Sequence, residues 1–250
     1  MPASERSPSP RWLADLGHSR VKWAELRPGG TLGHAHTTTA EAFPDRVAAE
    51  AVASIVLAAV PPDATVRPLV DAVAATGATL VRIALGAPRL DVAPGYATLG
   101  VDRWLAFNAA WRQRPDPLCV IDVGTATTVD LVDAEGRHRG GWILPGPEAA
   151  RSGLLERASG LERPRQPVER FDAPALTTAL ALERGLVLQQ VGALDRAIEA
   201  GTRDLGTRPR VVLTGGGAAA VQSALEIDEL QPDLVLHGLA LAVTRMDPER

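Results

Sequence analysis

Short apolar runs alternate with glycine- and proline-marked turns along most of the chain, and their spacing predicts where strands and helices fall. The stretch Trp12-Leu13-Ala14-Asp15-Leu16-Gly17-His18-Ser19-Arg20-Val21-Lys22-Trp23 reads as two strands joined by a tight turn containing glycine. From Phe43 the apolar positions Val47, Ala51, Val52, Ile55, Val56 and Ala59 recur at steps of three, four and one, which predicts one amphipathic helix stopped by Pro61 and Pro62. Strand-like residues 80–85 lead into a Gly/Pro-rich stretch at 86–95, and a helix start follows at 99–106. A second strand-turn-strand covers 118–130. Pro147 suits the first turn of a helix running to 158, and a long helix over 175–203 carries Val187, Val191, Leu194 and Ile198 on one face. Residues 211–217 read as a buried strand opening into glycines ahead of an Ala-rich helix, and 233–239 as a short strand that breaks at Gly238 into a last helix.

The two hairpins align at an offset of 107, with Asp15 meeting Asp122 and Gly17 meeting Gly124. Asp-x-Gly after an apolar strand is also common in ordinary hairpins, so this match alone leaves duplication and coincidence both open. Size allows either reading, because 250 residues make one large domain or two modest ones. The opening residues 1–10 lack the apolar core of a signal peptide and read as a loose tail, and the apolar run at 51–60 is too short to span a bilayer.

Composition narrows the chemistry. Thirty acidic residues against 26 Lys+Arg give a formal net charge of -4, which disfavours nucleic acid as a partner, and no membrane association is expected. One cysteine, Cys119, makes neither an intrachain disulfide nor a cysteine zinc site, and a cytoplasmic location is expected. Lys22 is the only lysine, and arginine supplies every other side-chain cation. The histidines His34, His36, His138 and His237 lack metal-like spacing and read as surface or turn residues. Arg163 to Arg170 is basic but interrupted by proline and glutamate, as in a solvated linker.

A D-x-G turn between strands presents backbone N–H groups in a concave nest, and Ser19, Thr125, Thr127 and Thr128 add hydroxyl donors suited to phosphate oxygens. Asp15 and Asp122 beside those turns can hold cations or their waters. Two such hairpins facing each other would enclose the phosphates of a nucleotide, with adenosine near Gly215 and Gly216. In this order the parts match the layout of the actin-like ATPase and kinase superfamily.

Within that superfamily the chain resembles type III pantothenate kinases. The resemblance is carried by Asp15-Leu16-Gly17-His18-Ser19-Arg20-Val21-Lys22-Trp23, Gly100-Val101-Asp102-Arg103, Asp122-Val123-Gly124-Thr125-Ala126-Thr127-Thr128, Gly140-Gly141-Trp142-Ile143-Leu144-Pro145-Gly146, Thr178 ahead of Gly185, and Pro232-Asp233-Leu234-Val235-Leu236-His237-Gly238-Leu239. It implies an α/β fold of two actin-like, ribonuclease H-like domains at 11–116 and 117–246. Each is a mixed sheet flanked by helices, and the last helix is free to fold back onto the first domain. It also implies ATP-dependent phosphorylation of pantothenate to 4'-phosphopantothenate, the first step toward coenzyme A. Mg2+ with the ATP, a monovalent cation such as K+ or NH4+, and a homodimer whose partner chain completes the pantothenate pocket come with it.

By the same resemblance, Asp102 is the base that accepts the hydroxyl proton of pantothenate. Gly100, Val101 and Arg103 form the substrate loop, and Thr178 binds pantothenate. Asp15, Leu16, Gly17, His18, Ser19, Arg20, Val21 and Lys22 form the first phosphate loop, Thr125 contacts ATP, and Asp122 is the monovalent-cation ligand. Tyr96 fits either a pantothenate ligand or loop packing, and Lys22 either a phosphate contact or a snorkelling strand residue. The family usually carries asparagine where this chain has His18. A non-catalytic relative acting as a transcription accessory protein is the alternative, and the retained Asp102, Asp122 and Thr125 argue against it.

Overall fold

A computed structural model of the chain describes residues 11–17, 20–158, 160 and 171–246; the tail at 1–10, His18 and Ser19, and the basic linker at 163–170 lie outside the described residues. Both D-x-G hairpins form where the alternation places them. Strand β1 (Arg11–Leu16) pairs antiparallel with β2 (Arg20–Glu25), Asp15 standing opposite Lys22, and β3 (His36–Thr39) continues antiparallel along β2. Helix α1 (Phe43–Ala49) then leads to β4 (Ser54–Ala59), which lies parallel to β1 on its other side. After α2 (Asp63–Ala75), β5 (Thr79–Arg82) adds parallel to β4, and the sheet order is β3-β2-β1-β4-β5.

The single helix expected from Phe43 is therefore a short helix and a strand. Ala51 takes a positive φ of 49° and ends the helical geometry. Ile55, Val56 and Leu57 then form a strand flanked by β1 and β5. A central strand buried on both faces loses its apolar/polar alternation, and in so short a run the leftover spacing imitates a helix. The core against this sheet is built on aromatic rings, Trp12 stacked on Trp23 at 5.6 Å and Trp23 edge-on to Phe43 at 5.4 Å between centroids.

Helix α3 (Val101–Gln113) is buried along most of its length, including Trp104 and Trp111. Its fully buried Asn108 bonds the Val92 amide at 2.8 Å, the Val92 carbonyl at 3.0 Å and the Trp104 carbonyl at 2.9 Å. The Trp104 indole N–H also donates to the Val92 carbonyl. Together these bonds satisfy a buried amide and pin the Gly/Pro-rich stretch to the helix.

The second sheet repeats the first. Strands β6 (Leu118–Val123), β7 (Ala126–Val132) and β8 (His138–Pro145) are successively antiparallel. Helices α4 (Pro147–Arg157) and α5 (Thr178–Leu205) follow, α5 opening with Thr177 as its N-cap and closing on Gly206 at φ 70°. Strand β9 (Arg210–Thr214) runs parallel to β6, β10 (Glu229–Leu230) parallel to β9, and the order is β10-β9-β6-β7-β8. The positions of antiparallel and parallel pairs match the first sheet strand for strand. That agreement favours internal duplication over coincidence.

Three local expectations are corrected. The Ala-rich helix after the glycines is only a pair of 3-10 turns, Ala218–Ala220 and Gln222–Ala224, because Val221 leaves helical geometry at φ -121° while it, Ala218 and Leu225 are drawn into the core. His138 is no surface residue: its side chain is fully buried with Nε2 2.9 Å from Asp130 Oδ1. The strand expected at 233–237 is the first turn of α6 (Leu234–Met246), whose His237 amide donates to the Asp233 carbonyl at 3.1 Å.

The chain separates into two compact units, residues 1–112 with 233–250, and residues 113–232. Helix α6 thus returns to the first unit, where it packs on β1 and β4. Gly238 does not break it. A Cβ there would meet the Leu105 carbonyl group, its carbon at 2.6 Å, so the glycine is what lets α6 lie against α3. Gly238→Ala should cost about 1–3 kcal/mol by overpacking and lower Tm by roughly 3–10 °C. Gly153→Ala, on α4 with nothing within 4 Å, is the control and should be neutral or slightly stabilising. Equal melting curves for both variants would refute the close-packing role of Gly238.

Candidate active site

In the first unit the hairpin turn is closed by the Gly17 amide donating to the Arg20 carbonyl at 3.0 Å. Residues directly opposite in an antiparallel pair project to the same face, so Asp15 and Lys22 share one side of the sheet beside this turn. Lys22 Nζ lies 2.9 Å from Asp233 Oδ1. Leu16 and Val21 are buried, and Arg20 is exposed. Of the residues expected to form a phosphate loop, then, Leu16 and Val21 pack into the core, while Asp15, Gly17, Arg20 and Lys22 are left at its polar side.

The Gly100-Val101-Asp102-Arg103 motif is assembled at the start of α3. The Trp104 amide donates to the Gly100 carbonyl as the first helical bond, which puts Asp102 in the first turn, where the helix dipole favours its anion by roughly 0.3–1 kcal/mol. The Asp102 carboxylate folds back so that Oδ1 occupies the space a Cβ on Gly100 would need. Arg103 is buried to 8% exposure, and its Nη1 donates to the Tyr96 hydroxyl at 3.0 Å. Tyr96 is itself 40% exposed, its carbonyl accepting from the Leu99 amide. Val101 points into the core. The structure thus gathers Tyr96, Gly100, Asp102 and Arg103 at one helix end.

In the second unit the D-x-G turn is closed by the Gly124 amide donating to the Ala126 carbonyl at 2.9 Å. Two glycine segments press on it. The Gly146 amide donates to the Thr125 carbonyl at 3.0 Å, and a Cβ on Gly146 would meet the same oxygen at 2.6 Å. The Gly217 amide donates to the Val123 carbonyl at 2.8 Å, and Gly215 adopts φ 94°, where a Cβ would collide with Asp122 Oδ1 and stand 2.6 Å from the Val123 amide nitrogen. Asp122 is part-buried, Thr125 exposed, and Gly216 faces open space. Thr178 is the exposed first residue of α5, an element separate from this turn.

Sequence reasoning missed two participants. The apolar run after Asp233 suggests a strand, and only the fold sets the Asp233 carboxylate on Lys22. Gly146 closes a sequence motif, but its seat on the Thr125 carbonyl depends on β8 pairing with β7. Among the described residues, no group of three or more His, Cys, Asp or Glu side chains is arranged to hold a metal, and no helix is long and apolar enough to cross a membrane. Cys119 offers no thiolate, since burial, aided by the Asp130 charge, pushes its thiol up to about 12.

Two mixed sheets of matching order, each entered by a D-x-G hairpin and flanked by helices, define the actin-like ATPase and sugar-kinase fold. A conserved Baf-family protein of Campylobacter jejuni, proposed as a transcriptional activator, superposes with a TM-score of 0.67 at 19% identity over 96% of this chain and 100% of its own. The activator of 2-hydroxyisocaproyl-CoA dehydratase from Clostridium difficile, solved with bound ADPNP, gives 0.51 at 12% identity over 96% and 95%. The family model for type III pantothenate kinase matches residues 13–200. A type III pantothenate kinase of Halorhodospira halophila is 33% identical over 245 residues, 92% of this chain and 96% of that relative. One from Azotobacter vinelandii is 39% identical over 148 residues, and there the match spans 59% of the relative's length. The chain belongs to the type III pantothenate kinase family.

Gly215→Ala tests how tightly the second unit's site is built. A left-handed backbone costs a residue bearing a Cβ about 1–2 kcal/mol, and the collision with residues 122 and 123 adds to it. Tm should fall by at least about 4 °C, whereas Gly216→Ala should barely change it. Matching stability in the two variants would contradict the close approach at 215.

Proposed function

We propose that this chain transfers the γ-phosphoryl group of ATP to the primary hydroxyl of pantothenate. The observation that carries the proposal is the Asp102 carboxylate seated over Gly100 in the first turn of α3, beside the bonded Arg103–Tyr96 pair, in a chain of this family. The hydroxyl oxygen attacks the γ-phosphorus, the bond to the bridging oxygen breaks, ADP leaves, and the hydroxyl proton passes to Asp102. A carboxylate is a weak base, and that suffices because phosphoryl transfer proceeds through a loose transition state in which positioning dominates. Arg103, a buried cation, suits the pantothenate carboxylate, with Tyr96 steering the guanidinium. Thr178, in the second unit, is a pantothenate-binding candidate by the family resemblance alone.

Each D-x-G turn by itself offers groups suited to phosphate: the backbone around Gly17 with Lys22 in the first unit, and Thr125 in the second, where Gly215 and Gly216 are the candidate nucleoside contacts and Gly216 faces open space. His18 and Ser19 belong to this loop by sequence. The Asp122 carboxylate and the Val123 carbonyl, both beside Gly215, are hard oxygen ligands of the kind that suits a monovalent cation such as K+, or NH4+ donating to the same oxygens. When bound, that cation would offset the repulsion between Asp122 and the triphosphate. Mg2+ would be carried on the ATP phosphates with waters, its usual mode where proteins offer one or two carboxylates.

Exposed Trp142 and Ile143 on β8, Leu154 on α4, and Leu176 and Leu188 at and on α5 support the homodimer. Apolar side chains concentrated on neighbouring elements mark association surfaces. A cytoplasmic enzyme is consistent with a single, buried cysteine. The likeness to the Baf-family protein, at 19% identity, speaks for the fold alone and adds nothing to the accessory-protein alternative.

Asp102→Asn keeps shape but removes the proton acceptor, and kcat should fall by about 10²–10⁴ with little change in ATP affinity. Near wild-type turnover of pantothenate in a coupled ADP-release assay would exclude Asp102 as the base. Activity should also be higher in potassium or ammonium buffer than in sodium or a bulky organic cation, and Asp122→Ala should flatten that dependence. Identical rates in all four salts would dismiss the cation role.

A further inference from the structure

We propose that Asp233 is a positioning residue for nucleotide binding, holding the Lys22 ammonium so that the chain's one lysine is presented to the phosphates of ATP. This rests on the kinase reading above and adds a residue to it. The ion pair is short, 2.9 Å, with only 32% of the Lys22 side chain and 26% of the Asp233 side chain exposed. Lys22 shares its sheet face with Asp15 beside the D-x-G turn, so its cation stands next to the turn to which the kinase reading assigns the phosphates. An ammonium has three donors, and a single carboxylate contact leaves others for a phosphate oxygen. A free lysine would lose the rotation of a long stem on grasping that oxygen; one already tethered has lost much of it beforehand.

The tether is rigid at its far end. Asp233 holds a backbone φ of 61°, a left-handed conformation that aspartate and asparagine tolerate better than most residues, and its carbonyl caps the first turn of α6 by accepting from His237. Helix α6 is in turn seated on α3 through Gly238. The carboxylate thus hangs from a packed helix end, a support suited to precise placement. Arginine fills every other long-cation position, yet here the chain keeps lysine, whose compact charge can sit between a carboxylate and a phosphate where a planar fork would demand bidentate geometry.

The test is a double-mutant cycle read by ATP affinity in calorimetry and by KM and kcat in the ADP-release assay. Asp233→Asn keeps the size and the backbone tolerance of aspartate, and Asp233→Gly meets the same φ without strain. Both should raise the ATP Kd and KM about three- to tenfold and leave kcat and the pantothenate KM within about twofold. Lys22→Met should raise the ATP Kd at least as far, and adding Asp233→Asn to it should change nothing more. Asp233 variants that melt earlier while binding ATP normally would reduce the pair to a structural tie and overturn the proposal. An undiminished penalty in the Lys22→Met background would overturn it too, since Asp233 would then act through another group. Wild-type protein that binds ATP without phosphorylating pantothenate would refute the kinase reading and leave the cycle readable; failure to bind ATP would refute both.

Discussion

Burial of two parallel strand pairs, β1 with β4 and β6 with β9, is the constraint from which each unit follows. These strands are covered on both faces and read as nearly unbroken apolar runs, so their backbone groups must be satisfied within the sheet. The ladder runs out at their carboxyl ends, and there the chain turns sharply. Polar residues that the sheet interior would reject, Asp15 and Asp122, are admitted at that point, and the freed amides of a tight glycine turn sit beside them. Ligands of open α/β sheets gather at this edge for the same reason.

The two units solve the edge alike and then diverge. In each, the carbonyl of the residue after the aspartate accepts from the chain leaving the neighbouring parallel strand: Leu16 from Val60, and Val123 from Gly217. Leu16 and Val123 correspond at the same offset as the aspartates. In the first unit a valine fills the position and the loop runs on to Pro61 and Pro62. In the second the three residues after β9 are glycines, and the backbone closes onto Asp122 until no Cβ fits at 215. One copy has kept side chains at this contact and the other has given them up for proximity.

What the sequence disclosed was local. Each hairpin was legible because alternation and a glycine turn lie within a dozen residues, and α5 because its apolar stripe runs long enough to fix the period. Strand β4 was not, since burial on both faces erases the alternation that identifies a strand. The same ambiguity misplaced Leu234-Val235-Leu236, apolar whether helical or extended, and Gly238 looked like a break because a glycine kept for helix contact is indistinguishable from one kept for a turn. His138 looked superficial because its partner Asp130 lies across a bulged strand pair. The candidate site is legible where motif residues are neighbours in sequence, as at Gly100 to Arg103, whereas the ion pair of Lys22 with Asp233 spans the chain and leaves no local signal.

The solitary lysine has one more consequence. Besides the terminal amine, the chain owns a single primary amine, and it sits in the ion pair with Asp233 on the first D-x-G hairpin. Reductive methylation with carbon-13 formaldehyde would therefore install one side-chain label in the whole molecule, on the β2 strand of that hairpin. The bias toward arginine that strips lysine from the rest of the surface has left a built-in spectroscopic reporter, with no background from other lysines.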